Sequence, residues 1–242
     1  MNAPANHRPK TGRRIEILQP PSGAEQARGL AVIIDVFRAF SLVCYLFDQG
    51  AARIIDVHEV ERALRLRDEY PDGLLVGERH ALKIPGFDYG NSPTEILTAE
   101  LSGRTVIHTT HAGTQALMAA DQADEVLTGG FVNAAAVADY IANAGLEVVS
   151  LVCSGFEGQR ETLEDTLCAE YLRDLLEGRR SDFGAIRRRI VSSECSRRFL
   201  DPVERTCPEQ DLELCLDLDR FDFVVRRAAM HDGFCVLERM RA

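Results

Sequence analysis

Apolar and polar positions along the chain follow two patterns, one typical of strands and the other of helices. Residues 29–35 form a continuous apolar run rich in β-branched residues, as in a central strand covered on both faces. The segment after it carries apolar residues at helical spacing and stops at Gly50, which predicts a helix with a glycine C-cap. Repetition of this order predicts an α/β fold with a mostly parallel sheet.

The same patterns predict the remaining elements. Strands are expected at 13–18, 53–57, 74–77, 105–108, 125–128 and 147–152, and helices at 60–70, 93–101, 114–120, 133–144, 162–176 and 181–191. The helix at 60–70 is amphipathic, with Ala63 and Leu64 expected to face inward. The helix at 162–176 has Thr162 as its predicted N-cap and Asp165 at the N3 position, an acidic version of the capping box.

The two ends of the chain are less regular. Residues 1–12 combine proline, asparagine and basic residues with almost nothing to bury, and we expect a disordered tail there. Residues 13–242 are expected to form a single domain whose part from 181 onward is less regular. In that part, residues 212–218 should be helical at their start, and two short strands should flank a turn at 231–233.

A polar and largely irregular stretch occupies residues 77–95, GERHALKIPGFDYGNSPTE. Its three glycines and two prolines interrupt any helical or strand period, so we expect an ordered loop. Ile84, Phe87 and Tyr89 would anchor this loop against disorder. Because a loop of this length inside a compact domain is more often functional than a plain connector, we predict that it forms part of a binding site.

Composition limits the classes of function. The chain of 242 residues has a formal net charge of -10 and a pI near 5.1, which argues against a nucleic-acid or anionic-membrane partner. No apolar run approaches the roughly 20 residues of a membrane helix. Seven cysteines without a CxxC pair, and an N-terminus without an apolar signal segment, favour the cytoplasm. Cysteines with apolar neighbours, expected to pack as small hydrophobic side chains, are Cys44, Cys153, Cys168 and Cys215.

Polar residues gather where the predicted strands end. Because the carboxyl ends of parallel strands face one crevice, residues distant in sequence should converge there. They are Asp35, Arg38, Glu78, Lys83, Asp88, Asn91, Ser92, Thr109, Thr110, Gly113, Thr114, Ser154, Gly155, Glu164 and Asp165. Carboxylates without a matching surplus of cations suggest a hard divalent ion such as Mg²⁺, and hydroxyls with backbone amides at a helix N-terminus suggest a phosphate cradle. The combination favours phosphoryl chemistry.

Each feature also has a purely structural explanation. Asp35 could be the N-cap acid of the following helix, and Glu164 and Asp165 could be first-turn charges that the helix dipole favours. His108 and His111 are more often packing or solvent-facing residues than catalysts. The general motifs GxxxxGK[ST], GxGxxG, HExxH and GxSxG are absent. The residues alone therefore indicate an anion-binding α/β protein.

Five segments, taken in order, resemble a known family. They are IDVFRAFS, GERHALKIPGFDYGNSP, HTTHAGTQAL, LTGGFVNAAAVADY and CSGFEGQRETLEDTLCAEYL, and they extend from about residue 31 to 176. Together they resemble the 2-phosphosulfolactate phosphatases, the magnesium-dependent phosphatases of the coenzyme M pathway, with GFDYGNSP the most specific piece. The resemblance implies a three-layer α/β/α fold and hydrolysis of (2R)-2-phospho-3-sulfolactate to 3-sulfolactate and phosphate. It also favours a homodimer.

Roles follow from the resemblance and the residue chemistry together. Residues expected to hold Mg²⁺ are Asp35 together with Glu164 or Asp165. Residues expected to act in catalysis are Asp35, Arg38, Lys83 and Asp88, the two cations neutralising phosphoryl charge and Asp88 serving as general acid or base. Residues expected to bind substrate are Glu78, Asn91, Ser92, Thr109, Thr110, Gly113, Thr114, Ser154 and Gly155.

The chain departs from the family pattern at several positions. Ala112 stands where many members have the Asn of TTNGT, and residues 80–83 read HALK where members read the last four positions of GERxGxK. The later HGRxL stretch is replaced by CSRR at 195–198. These changes bear on substrate identity more than on reaction type. Two alternatives stay open: a non-catalytic module that binds an anionic metabolite, and a metal-dependent lyase whose product keeps its phosphate.

Overall fold

The computed structural model describes residues 12–201, 203 and 206–242, so the tail predicted at 1–12 lies almost entirely outside the described residues. The strands are β1 Arg14–Leu18, β2 Leu30–Ile34, β3 Arg53–Val57, β4 Leu74–Arg79, β5 Leu82–Lys83, β6 Thr105–Thr109, β7 Glu125–Gly129, β8 Val148–Cys153, β9 Phe223–His231 and β10 Phe234–Arg241. The helices are α1 Ala39–Asp48, α2 Val60–Glu69, α3 Pro93–Ile96, α4 Ala112–Ala119, α5 Ala134–Ala144, α6 Leu163–Leu176, α7 Phe183–Val191, α8 Arg197–Leu200 and α9 Glu209–Cys215.

One mostly parallel sheet runs through the described residues in the order β1-β8-β2-β7-β9-β10-β3-β6-β4-β5. Two parallel blocks, β1-β8-β2-β7 and β3-β6-β4, are joined by the antiparallel hairpin β9-β10. The hairpin is antiparallel to β7 on one side and to β3 on the other. Three antiparallel pairings, β7-β9, β9-β10 and β10-β3, lie between the two blocks. Each pairing reverses the strand direction, so the strands of one block run opposite to those of the other.

Helices cover both faces of the sheet, which confirms the three-layer α/β/α architecture. The strand β2 shows how the layers form, since successive side chains of a strand point to opposite faces. Ala31 and Ile33 pack into a core with α1 and α4, and Val32 and Ile34 pack into a second core with α5 and α6. A third core lies between α2 and the strands β3, β4 and β6. All five residues of β2 are buried, as the continuous apolar run predicts.

Most predicted elements are confirmed, and the differences have physical causes. The helix predicted at 93–101 ends at Ile96, and the two C-terminal strands are longer than expected because they pair along their whole length in mid-sheet. The expectation that Leu64 faces inward is wrong. Ala63 and Leu66 form the buried stripe of α2, and Leu64, about 100° further round the helix from Ala63, is 45% exposed.

The stretch at 77–95 is more regular than a loop. The strand β4 continues to Arg79, and β5 pairs with it to form a hairpin. The turn residues His80 and Ala81 have φ of 54° and 64°, the left-handed pair of a type I′ turn. Asn and Gly usually mark such turns, and neither is present here, so the sequence contains no signal for this hairpin.

The seven cysteines are free thiols, and six of them are buried, including the four expected to pack as hydrophobic side chains. Within the described residues, no helix has the length and apolar character needed to cross a bilayer. The C-terminal part contributes α7, α8 and α9 as well as the central hairpin.

Candidate active site

A cavity of about 270 Å³ opens where β2, β4, β6 and β8 end. Sheet twist of about 20–25° per strand accumulates over the five steps from β2 to β6 to roughly 100–125°, which turns the ends of the two oppositely directed blocks toward one cavity. The predicted site residues that line the cavity are Asp35, Arg38, Glu78, Asn91, Thr110, Gly155 and Glu164. Lining residues that were not predicted as site residues are Phe37, His80, Ala81, His111, Ala112, Phe156, Glu157, Thr162 and Arg198.

Asp35 lies at the carboxyl end of β2, and its carboxylate faces both the cavity and the first turn of α1. Its Oδ1 accepts a hydrogen bond from the Ala39 amide at 3.0 Å, so the carboxylate does bind the first amide of α1, although the N-cap residue is Arg38 and not Asp35. Burial raises the pKa of Asp35 to about 7, and the Glu78 and Glu164 carboxylates add to the shift against the opposing charge of Arg198. Asp35 therefore changes charge near neutral pH.

The two acids at the start of α6 have different environments. Asp165 Oδ1 accepts from the Val36 amide and Oδ2 from the Gly155 amide, both at 2.9 Å, and the side chain ties the loops after β2 and β8 together. Thr162 is the N-cap residue as predicted, but its side chain makes no cap bond and Asp165 serves these loops instead. Glu164 lines the cavity, and burial raises its pKa.

Arg38 is buried and held by an acid that the sequence did not single out. Its Nη1 donates to Asp211 Oδ2 at 2.7 Å, and both side chains are almost fully buried. The other carboxylate oxygen, Asp211 Oδ1, accepts from the Ser92 hydroxyl, the Thr94 hydroxyl and the Thr94 amide. Asp211 thus connects α9, the cavity arginine and the start of α3.

Arg198 is the second cavity cation. It belongs to the short helix α8, its Nη2 donates to the Phe37 carbonyl at 2.9 Å, and its positive charge opposes the rise in pKa of both Asp35 and Glu164. Its Nε is buried without a hydrogen-bond partner among the described residues. Position 198 falls in the stretch that departs from the family pattern, and only tertiary packing of α8 brings it to the cavity.

The predicted phosphate cradle at the start of α4 is largely occupied by the protein itself. Glu78 Oε1 accepts from the His111 amide at 3.1 Å, and Oε2 accepts from the Ala81 amide at 2.7 Å. The Thr110 amide donates to the Thr114 hydroxyl at 3.1 Å. These amides brace the cavity wall, and the arginines that line the cavity are Arg38 and Arg198.

Gly113 allows close packing of α4 on Asp35. A Cβ at this position would lie 2.9 Å from Asp35 Oδ2 and 3.1 Å from the Ala39 Cβ. Only glycine therefore fits without displacing the Asp35 carboxylate. Gly113 thus affects the cavity through the position of Asp35 and not through a side chain of its own.

Several predicted residues lie outside the cavity lining. Lys83 is exposed on β5, and Thr109 accepts from Arg79 behind the wall. Asp88 Oδ2 accepts from the Leu75 amide at 2.8 Å, and the Asp88 carboxylate pairs with Arg67. The structure gives Asp88 a bracing role and does not bring it to the other candidates. The remaining predicted residues outside the lining are Ser92, Gly113, Thr114, Ser154 and Asp165.

The donor set fits a hard divalent cation. Asp35 and Glu164 offer carboxylate oxygens to the same buried cavity. Glu164 Oε2 and Asn91 Oδ1 are buried oxygens without a hydrogen-bond partner among the described residues. Buried oxygen atoms rarely stay unpaired, and Mg²⁺ prefers one or two carboxylates with other oxygens.

The fold and this cavity define an α/β/α protein with a small charged pocket at strand ends, where α/β enzymes place small-molecule sites. Sequence comparison identifies the family. The chain belongs to the 2-phosphosulpholactate phosphatase family, whose model matches residues 18–229, and the resemblance found in the sequence is confirmed. This is a family of phosphoric monoester hydrolases.

Relatives from several bacteria carry the name "Probable 2-phosphosulfolactate phosphatase". One from Carboxydothermus hydrogenoformans is 33% identical over 94% of this chain and 98% of its own length. One from Thermotoga maritima is 34% identical over 93% and 98%. One from Deinococcus radiodurans is 41% identical over 148 residues, and this alignment spans 61% of each chain, less than two thirds of the relative's length.

Proposed function

We propose that this protein is a Mg²⁺-dependent phosphatase that hydrolyses (2R)-2-phospho-3-sulfolactate to 3-sulfolactate and phosphate. The observation that carries the proposal is the buried pair Asp35 and Glu164 in one cavity with Arg198, whose charge acts on both carboxylates. Family membership supports the reaction class. The cavity of about 270 Å³ has the volume of only a small molecule.

In this proposal Asp35 and Glu164 would hold Mg²⁺, with Asn91 Oδ1 close to the same cavity. The bound ion would supply charge neutralisation at the phosphate and orientation of the attacking water. Arg198 and Arg38 would stabilise the charge on the phosphoryl oxygens as the ester P–O bond breaks. Asp165 would keep the loops after β2 and β8 in register, as its two amide contacts indicate.

The reaction would belong to coenzyme M biosynthesis and take place in the cytoplasm. The seven free thiols support a reducing compartment. The homodimer favoured by the resemblance stays a prediction.

The test is phosphate release from a panel of phosphorylated hydroxy acids that includes phosphosulfolactate, with Mg²⁺ or with a chelator. We expect release only with Mg²⁺, and a loss of about a hundred-fold or more in kcat/KM for Asp35→Asn. The matched control is Asp174→Asn, the same change at an acid in α6 that lies outside the cavity lining. Its rate should stay within about two-fold of the unchanged protein.

Other outcomes would replace the proposal with one of the alternatives. Tight binding of the panel without phosphate release would indicate a non-catalytic binding module. A product that retains its phosphate would indicate a lyase. Equal rates with chelator and with Mg²⁺ would remove the metal from the mechanism.

A further inference from the structure

Three side chains at the cavity rim form a cluster that the proposed reaction does not use. His80 lies in the turn between β4 and β5, His111 directly precedes α4, and Glu157 follows β8. Each of the three residues offers one possible metal ligand, an imidazole nitrogen or a carboxylate oxygen. These three atoms lie within 4.8 Å of one another, close enough to hold a metal ion together. All three line the cavity that contains Asp35.

The contacts within the cluster are incomplete. His80 Nδ1 lies 2.8 Å from Glu157 Oε1, and the rings of His80 and His111 are 5.7 Å apart between centroids. His111 Nδ1 is buried and has no hydrogen-bond partner among the described residues. An imidazole nitrogen buried without a partner loses its hydration, so a ligand for the cluster would lower the energy of this arrangement.

The backbone holds two of the three side chains in unusual conformations. His80 has φ of 54° and Glu157 has φ of 53°, in the left-handed region that is uncommon for residues other than glycine, although histidine adopts it more often than glutamate does. Such conformations cluster at ligand sites. These two backbone conformations lower the stability of the fold, and they occur at the two residues whose side chains contact each other.

Charge also favours a cation at the rim. Asp35, Glu78, Glu164 and Glu157 all line the cavity. Of the lining arginines, Arg38 is already paired with Asp211. Even with Mg²⁺ held by Asp35 and Glu164, the carboxylates of Glu78 and Glu157 outnumber Arg198, and a divalent cation at the rim would reduce this negative charge toward an anionic substrate.

We propose that His80, His111 and Glu157 form a second cation site, one for Zn²⁺ or a similar transition metal. Two imidazoles and a carboxylate are a ligand set that suits zinc, whereas the oxygen set of Asp35 and Glu164 suits Mg²⁺. Ligands around a tetrahedral Zn²⁺ at about 2.1 Å lie roughly 3.4 Å apart, whereas the ligand atoms of the cluster lie within 4.8 Å of one another. The side chain of His80 is 69% exposed and therefore has room to move toward the ion. Three protein ligands leave one position open toward the cavity.

The test is calorimetric titration of the full chain with Zn²⁺ in saturating Mg²⁺, which fills the oxygen site. We expect one equivalent of Zn²⁺ to bind, and the affinity to fall at least about ten-fold in His80→Asn and in Glu157→Gln. Asparagine tolerates the left-handed backbone at position 80 and removes the imidazole. The matched control is His231→Asn, the same change at an exposed histidine in β9 outside the cavity lining.

X-ray absorption at the zinc edge gives an independent readout, with two imidazole ligands expected. Thermal unfolding of each variant checks that the fold is intact, and Asp35→Asn should retain the zinc because its change lies in the oxygen site. Equal affinity in His80→Asn and His231→Asn would overturn the proposal. So would a zinc ion without imidazole ligands, or one that is lost only in Asp35→Asn.

Discussion

At the scale of single residues, Gly113 controls how closely α4 approaches Asp35. In Gly113→Ala, the new methyl group would meet Asp35 Oδ2 at 2.9 Å and push the carboxylate from its position. We expect kcat/KM for phosphate release to fall about ten-fold or more, with a higher Mg²⁺ requirement. Stability should change little, because alanine's gain in helix propensity of about 1 kcal/mol offsets the contact.

The matched control for this prediction is Gly184→Ala. Gly184 is the second residue of α7, as Gly113 is of α4, and its Cβ would lie 3.2 Å from the Oδ1 atom of the exposed N-cap residue Asp182 and 3.4 Å from Arg188 Nη1, away from the cavity. It should leave activity unchanged and stabilise by up to about 1 kcal/mol in urea unfolding. If the two variants show the same activity and the same stability change, contact with Asp35 is not the reason for the glycine.

The sequence predicts residues well where position along a strand or helix decides their place. Asp35 and Glu164 reach the cavity because a buried strand ends at one and a helix begins at the other. Asp88 does not, because its partners are the Leu75 amide and Arg67. Those contacts depend on how β4 and α2 pack against the loop that contains Asp88, and the local sequence pattern does not predict this packing. The same applies to Arg198, whose place depends on the packing of α8.

At the scale of elements, Asp211 joins α9 to the cavity and to α3. Its two oxygens accept from opposite sides, one from Arg38 and the other from Ser92 and Thr94. In Asp211→Asn one side must lose its acceptor, and the buried guanidinium of Arg38 loses its negative partner. We expect a loss of about 3–5 kcal/mol in the free energy of unfolding, measured in urea.

Glu213→Gln provides the control on the same helix. Glu213 also pairs with an arginine, Arg187, but its side chain is 58% exposed. Exposed ion pairs contribute about 0–1 kcal/mol, so this variant should unfold close to the unchanged protein. A similar small effect for Asp211→Asn would mean that the buried pair does not hold α9 in place.

Element types were predictable and their neighbours in the sheet were not. Periodicity and caps locate α1, α5 and α6 to within a few residues, and Gly145 ends α5 with φ of 77° as a helix-terminating glycine should. The hairpin β9-β10 was expected as a hairpin, but its pairing with β7 and β3 is a long-range contact. A strand pattern describes which faces are buried and contains no information about which strand is adjacent.

At the scale of the whole molecule, the cavity carboxylates link stability to pH. Burial raises the pKa of Asp35 from 3.8 to about 7, so between these values the folded protein binds more protons than the unfolded chain. The free energy of unfolding therefore falls as pH rises from about 4 to about 7 and levels off above it. Asp35→Asn removes this contribution, since an amide stays neutral while its oxygen can still accept from Ala39.

The measurement is the difference in melting temperature between Asp35→Asn and the unchanged protein, in chelator, across this pH range. Taking the difference cancels the titrating groups that do not interact with Asp35, and we expect it to grow in favour of the variant from pH 4 to pH 7. Mg²⁺ should reverse the order above pH 7, because it binds the ionised Asp35 carboxylate and stabilises the unchanged protein more than a variant that keeps only Glu164. At pH 5 the ion should affect the two proteins alike, since Asp35 is then protonated and both proteins retain Glu164. A difference that is flat with pH would show that burial does not raise the pKa of Asp35, and this carboxylate would then not link stability to pH between 4 and 7.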